Sequence, residues 1–318
     1  MTYNVSVVIC AYTEARWDEL VMAIESVRHQ TRPAGEIIVV IDHNPKLFDR
    51  ARQGLVGIVV VENREQRGLS GARNTGIAVS HGDVIAFLDD DAEAEPDWLE
   101  QLTHWFSRDN VAGVGGIVEP RWETAQPAWF PNEFSWVVGC SYRGLPLTSA
   151  AVRNLFGGCM CIRRAAFDLV GGFRGSIGRS NGRPMGCEET EFCIRVHQHR
   201  PEWRFMYEPR AWAYHHVPAQ RTTWEYFRSR CYAEGLSKAQ VAFLVGVGDG
   251  LSSERTYATQ ALPRGILRGI SDAFLRRDLT GLLRAGAIVA GLGYTVLGFC
   301  VGIVTKPLIT SEKVLQPV

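Results

Sequence analysis

Three consecutive aspartates, Asp89, Asp90 and Asp91, close an apolar run in "VIAFLDDDAEAEP". Aspartate is a poor strand former and adjacent carboxylates repel, so the placement calls for an offsetting charge. A hard divalent cation such as Mg²⁺ or Mn²⁺ takes oxygen ligands. One or two carboxylates with substrate phosphates is the usual Mg²⁺ arrangement. The competing reading is a solvated acidic turn, with Glu93 and Glu95 serving the start of the next helix. A second acidic group lies in "GCEETEFCIR", with Glu188, Glu189 and Glu191. Taken alone, Glu188 and Glu189 suit the positive end of a helix, and Glu191 pairs with Arg195 one turn on. "AYHHVP" carries His215 and His216, which take opposite sides if the segment is extended.

The elements that must position these groups are legible from pattern. "VSVVIC" (5–10), "EIIVVI" (36–41), "IVVVE" (58–62) and "DVIAFL" (83–88) are continuous apolar runs, as strands buried on both faces require. Between the first two, Leu20, Ala23, Ile24 and Val27 share one helical face, and Pro33 follows the end. "GLSGARNTGIAVSHG" reads as a helix closed by Gly82. Strand and helix alternate, which predicts a mainly parallel, Rossmann-like α/β sheet flanked by helices. Ligands gather beyond the carboxyl ends of such strands, and the aspartate triplet sits at one.

Further on, "EPDWLEQLTHWF" reads as a helix and "NVAGVGGIVEP" as a strand. Residues 120–150 read as a long loop whose Trp122, Trp129 and Trp136 form either an acceptor platform or loop packing. "LFGGCMCIRRAAFDLVGGF" gives a strand, a helix and a Gly stop, "CEETEFCIRVHQHR" a helix, "WRFMYEP" and "AWAYHHV" two short strands, and "TTWEYFRSRCYAEGLSKAQVAF" a helix. Residues 262–284 predict a basic amphipathic helix of interfacial type. Residues 285–305 hold no charge and are long enough to span a bilayer, or to lie in one leaflet as part of a helical hairpin. Gly298 and Gly302 have GxxxG spacing.

Composition narrows the function. The 318 residues allow one domain with extras or two small ones. A net charge of zero gives no basic field, so no nucleic-acid partner is expected. None of the eight cysteines forms a CxxC pair or a paired zinc spacing, and Cys159 and Cys161 read as strand core. The opening "MTYNVSVVICAY" lacks a signal-peptide pattern. Reduced thiols in a cytosol-facing domain are expected.

Several segments, taken in order, resemble family 2 glycosyltransferases, inverting nucleotide-sugar enzymes of the GT-A fold. "VSVVICAYTEA" resembles the opening strand and its Tyr–x–Glu turn, with Tyr12 and Glu14. "SVRHQTRPAGEIIVVID" resembles the second strand, ending in Asp42. "GLSGARNTGIAVSHGDVIAFLDDDAEAEPDWL" resembles the Gly–x–x–x–Ala–Arg–Asn segment followed by the metal-binding DxD. "GGCMCIRRAAFDLVGGF" resembles the acceptor-side segment, and "GCEETEFCIR" the box that holds the catalytic base. The resemblance spans about residues 1–220.

The resemblance implies roles. Tyr12 would stack on the base and Asp42 accept its N–H, with Glu14 in the same donor turn. Arg73 would face the diphosphate. Asp89 and Asp91 would form the DxD, Asp91 as the direct metal ligand, and Asp90 would reach the ribose. His215 or His216 would complete the metal shell. The base falls on Glu189, where the family usually has Asp, with Glu188 as the rival. No Gln–x–x–Arg–Trp follows, which points to transfer of a single sugar.

The expectation is a GT-A catalytic domain over 1–240, with nucleotide-sugar binding over about 1–118 and the acceptor side over about 119–240. A helical membrane-associated region over 241–318 follows. The enzyme would use Mg²⁺ or Mn²⁺ and a nucleotide-sugar donor, a UDP-sugar first. It would act on a glycan or lipid-linked acceptor in cell-envelope or exopolysaccharide synthesis. It would sit at the cell membrane, its catalytic domain facing the cytoplasm. Two alternatives stand beside this: a sugar-1-phosphate nucleotidyltransferase, and a non-catalytic membrane-anchored nucleotide-sugar-binding protein. The first would want a Gly-rich basic loop after the opening strand, which "CAYTEAR" does not supply.

Overall fold

The computed structural model describes residues 3–179 and 185–305. The end of the expected C-terminal region, 306–318, lies outside the described residues, as does 180–184 of the expected catalytic domain. Among the described residues nine strands form one sheet. They are β1 (Val5–Ala11), β2 (Glu36–Ile41), β3 (Val59–Glu62), β4 (Val84–Asp89), β5 (Ala92–Ala94), β6 (Val111–Trp122), β7 (Ala150–Val152), β8 (Cys159–Arg163) and β9 (Arg204–Val217). The order is β3-β2-β1-β4-β8-β6-β9-β5, with β7 on β9. β1 to β4 pair in parallel, β8 runs antiparallel to β4 and β6, and β6 pairs in parallel with β9.

The apolar runs are strands because both sides of each are covered. Val5, Val7, Ile9, Val39 and Ile41 face one core, which α1 (Trp17–Arg28) and α4 (Trp98–Thr103) complete with Leu20, Ile24 and Trp98. Val8, Ile38 and Val40 face the other. That core is closed by Ala72 of α3 (Leu69–Val79), Phe167 of α5 (Arg164–Val170) and Phe192 of α6 (Glu188–His199). Alternation between two apolar cores leaves no polar face on the strand, so the sequence shows no period of two. This is the mainly parallel α/β sheet that was expected.

Three local expectations change. Residues 45–54 form a helix, α2 (Pro45–Gly54), for which no element was expected. Asn44 caps it by accepting from Leu47 N at 3.1 Å, with Pro45 at the first position. The two short strands expected around 204–217 are the single strand β9. Its register against β6 jumps between Gly115↔Tyr207 and Ile117↔Trp212. The skipped residues include Glu208, whose buried carboxylate accepts from Trp105 Nε1 at 3.0 Å and Ser149 Oγ at 2.8 Å.

The third change is in the C-terminal helices. α7 (Trp224–Val245) is followed by the short α8 (Val247–Gly250) and α9 (Ser252–Thr256). The amphipathic helix α10 ends at Leu275 (Leu262–Leu275), and residues 280–284 belong to the next helix, α11 (Thr280–Val304). The break has a local cause. Arg277 turns back with φ +55°, and Asp278 accepts from both Thr280 N at 3.1 Å and Thr280 Oγ1 at 2.5 Å.

α7 and α11 touch backbone to backbone. A Cβ on Gly235 would stand 2.1 Å from the Thr295 carbonyl and 2.6 Å from Phe299 N. Gly235→Val is therefore expected to cost at least about 1–3 kcal/mol, as overpacking does, read as a lower midpoint in denaturant unfolding. An unchanged midpoint would show that the two helices do not pack this closely.

Candidate active site

The carboxyl ends of β1, β2 and β4 open into one cleft of about 1570 Å³. β1 leads into Tyr12, 53% exposed at the mouth, with the Arg16 guanidinium 5.4 Å from its ring centroid. β2 leads into Asp42, which is buried and lines the cleft. Asp42 Oδ1 accepts from Asn63 Nδ2 at 2.7 Å and Oδ2 from Gly68 N at 3.0 Å, so it also pins the start of α3. Glu14 lies in the exposed turn after Tyr12, outside the cleft lining.

β4 ends in the acidic triplet, and strand pairing brings its partner. β5 runs antiparallel to β9 with Ala92 opposite His215, and His216 N donates to the Asp91 carbonyl at 2.8 Å. That register sets His215 Nε2 3.2 Å from Asp91 Oδ1. Asp91 Oδ2 is 2.9 Å from Arg16 Nη1 and 3.8 Å from Arg221 Nη2. Burial alone would raise the Asp91 carboxyl, but His215, Arg16 and Arg221 outweigh it and hold it well below the usual range. Asp90 accepts from Arg16 at 3.0 Å through Oδ1, while its buried Oδ2 has no partner. Burial first, and then Asp91 beside it, push Asp90 up to about 7. His216 turns the other way, 3.5 Å from Glu19.

Asp89, Asp91 and His215 each bring a ligand atom within 4.8 Å of the others. The two carboxylates suit Mg²⁺ or Mn²⁺, and His215 adds one nitrogen donor, which leaves positions for substrate oxygens. Asp89 fits because Gly158 has no side chain; a Cβ there would stand 2.5 Å from Asp89 Oδ2.

The second acidic group sits on the facing wall. Arg73 on α3 is fully enclosed. It donates from Nη1 to Glu188 Oε1 at 2.9 Å and from Nη2 to the Gly157 carbonyl at 2.8 Å, with Asp89 3.6 Å away. Both glutamates line the cleft; Glu188 is buried and tied to Arg73, and Glu189 is half-buried. Burial and then the Glu188 charge push Glu189 up to about 8. Glu191 is fully buried between Arg195 at 2.9 Å and Arg174 at 2.7 Å. Of the three loop tryptophans, Trp136 lines the cleft and donates to Tyr257 Oη at 3.1 Å. Trp122 and Trp129 pack on Phe130.

Comparison with known proteins decides the family. Residues 6–171 match the model for glycosyl transferase family 2. A glucosyl-dolichyl phosphate glucuronosyltransferase of Haloferax volcanii is 37% identical over 74% of this chain and 76% of its own length. The chain belongs to glycosyl transferase family 2. The succinoglycan biosynthesis protein ExoM of Rhizobium meliloti is 25% identical over 92% of this chain and 94% of its own. The mannosyltransferase PcManGT from Pyrobaculum calidifontis, solved with GDP-Man and Mn²⁺, shares the fold with a TM-score of 0.60 at 15% identity. The match covers 93% of this chain and 88% of that one. The chain is thus a hexosyltransferase-type glycosyltransferase with a GT-A fold.

In this family 2 glycosyltransferase three contributors carried no sequence signal. Arg16 and Arg221 stand among many arginines, and only the fold turns them onto the triplet. Glu234 on α7 reaches Cys187 Sγ at 3.3 Å, beside Glu188 and Glu189, and is bridged to Lys238 at 3.3 Å. Cys187 has φ +74° and starts α6, so this contact sets the entry of Glu188 and Glu189.

The Arg73–Glu188 pair, with side chains 3% and 5% exposed, gives a stability prediction. Arg73→Met strands a buried carboxylate and is expected to cost about 3–5 kcal/mol. Adding Glu188→Leu should return much of the loss in chemical unfolding. If the single variant unfolds at the parent midpoint, the pair is not buried.

Proposed function

We propose that the chain is a metal-dependent, inverting transferase. It moves one sugar from a nucleotide-diphosphate donor, a UDP-sugar first, to the hydroxyl of a glycan or lipid-linked acceptor. The observation that carries this reading is one cleft with the Asp89, Asp91 and His215 cluster on one wall and the Glu188–Glu189 pair on the other. Asp89, Asp91 and His215 would hold Mg²⁺ or Mn²⁺. Bound there, the ion offsets the charge that develops on the leaving diphosphate.

The chain's own residues divide the remaining work. Tyr12 offers its exposed ring to the base, and Asp42 an acceptor beside it. Asp90, with one oxygen unpartnered, would accept from a ribose hydroxyl. Arg73, between Glu188 and Asp89, holds the two walls in register and adds positive charge near the diphosphate. Glu189 takes the acceptor's proton as the hydroxyl oxygen attacks the anomeric carbon opposite the diphosphate, which inverts that carbon.

Catalytic work is assigned to 1–240, with the donor held by about 1–118 and the acceptor side by about 119–240. The remainder, 241–318, is assigned to the membrane, with the catalytic domain cytoplasmic. α11 is the one described helix long and apolar enough to cross a bilayer. Relatives named for glucosyl-dolichyl phosphate and for succinoglycan support a lipid-linked acceptor and envelope or exopolysaccharide synthesis.

Asp91→Ala is expected to abolish Mn²⁺ binding, read by electron paramagnetic resonance with UDP present, and to remove donor turnover. Turnover that stays at the parent level with added Mg²⁺ or Mn²⁺ would end the metal assignment. The base is tested by pH. Glu189 must be deprotonated to accept a proton and holds its own up to about 8, so the transfer rate should climb with pH through about 8 and then level. Glu189→Gln should flatten that limb and lower the rate ~10²–10⁴-fold. Full activity in Glu189→Gln with loss in Glu188→Gln would move the role to Glu188.

A further inference from the structure

α11 has the length of a membrane span, yet it is not free to be one. Ala285, Ile288, Gly291 and Gly298 form a buried stripe along it. A Cβ on Gly291 would meet the Phe134 ring at 2.5 Å, one on Gly298 the Tyr232 carbonyl at 2.1 Å, and one on Gly302 Ala239 at 2.6 Å. The helix is therefore held against the catalytic domain from near its start to near its end. α7 runs beside it and carries Arg230, Glu234 and Lys238. A bilayer-spanning α11 would draw those charges toward the hydrocarbon, where they are costly.

The opposite face has another character. Leu282, Val289, Val296, Leu297 and Ile303 are exposed, and only 22% of the most apolar stretch is buried. The end of α10 exposes Phe274 at 75% and Leu275 at 81%, and the turn that follows exposes Leu279 at 73%, with Arg276 and Arg277 between them. Apolar side chains flanked by arginines are what a helix lying in the headgroup and acyl boundary presents to anionic lipid. The cleft reaches this face. Leu292 and Val296 are exposed on it and also line the cleft, and Arg264 of α10 lines the cleft too.

We propose that the α10–α11 hairpin lies in one leaflet of an anionic membrane without crossing it. The cleft then opens sideways onto that leaflet, and the acceptor hydroxyl arrives on the headgroup of a membrane lipid. The proposal rests on the transferase reading above for the last step only.

The test uses the full chain and vesicles of phosphatidylglycerol and phosphatidylcholine, floated on a density gradient. The parent protein floats. The double variant Leu282→Glu with Val289→Glu, at two exposed positions outside the cleft lining, is expected to lose ~tenfold or more of the floated fraction. Its metal-dependent hydrolysis of donor should be unchanged. Sidedness is read with Lys46→Cys on α2 and Thr305→Cys, each in a Cys300→Ser background, using an impermeant maleimide on sealed membrane vesicles. Labelling of both from one side supports the placement. Reaching Thr305→Cys only from the side opposite Lys46→Cys overturns it. A double variant that floats like the parent but no longer self-associates makes a second copy the occupant of this face. If the parent floats and labels as expected but turns over no nucleotide-sugar, the transferase reading fails and the membrane placement stands.

Discussion

The site is organised by a single electrostatic constraint: three carboxylates crowd the end of a buried strand. Like charges at this spacing, shielded from water, do not all stay ionised unless cations surround them. Three side chains from different parts of the fold supply positive charge or a proton. Arg16 comes from the turn after β1, His215 from β9 and Arg221 from just beyond β9. The supply is unequal. Asp91 has all three neighbours, Asp90 shares one, and Asp89 looks across to Arg73. The triplet is thus divided into unlike groups before any ligand arrives.

The same constraint accounts for the facing wall. Arg73 lies between Glu188 and Asp89, so one guanidinium couples the two acidic groups. Glu188 is held by that contact, and Glu189 stands half-buried beside it in the same cleft. Two adjacent, chemically identical residues are left in different states because Glu188 pairs directly with Arg73, while at Glu189 burial and the Glu188 charge outweigh what Arg73 offsets. Gly157 and Gly158 let these side chains approach β8. Any side chain there would occupy the space of Arg73 or Asp89.

Backbone contact between small residues also decides how the C-terminal helices are used. Gly235 and Gly298 bring α7 and α11 together, and Gly269 and Gly281 do the same for α10 and α11. α11 is thereby packed along one side against the rest of the fold. Its remaining face is left apolar.

Much of this was present in the chain as written. Runs such as "EIIVVI" and "DVIAFL" must be doubly buried strands, since nothing in them tolerates water. A carboxylate cluster where one ends belongs at the ligand edge of a parallel sheet. The family motifs appear in order because local chemistry and local backbone are encoded together. What sequence alone could not assign was how two like neighbours are placed. His215 and His216 differ only by strand register, and that register is set when β9 pairs with β5. Glu188 and Glu189 differ only by a partner 115 residues away on α3. The strand at 204–217 looked broken because a register jump, invisible in composition, absorbs Glu208. The apolarity of α11 is local and left both a bilayer span and a placement in one leaflet open, whereas the neighbours that cover one side of it are distant in sequence. Residue type determined which chemistry was present; long-range pairing decided which atom of each kind meets it.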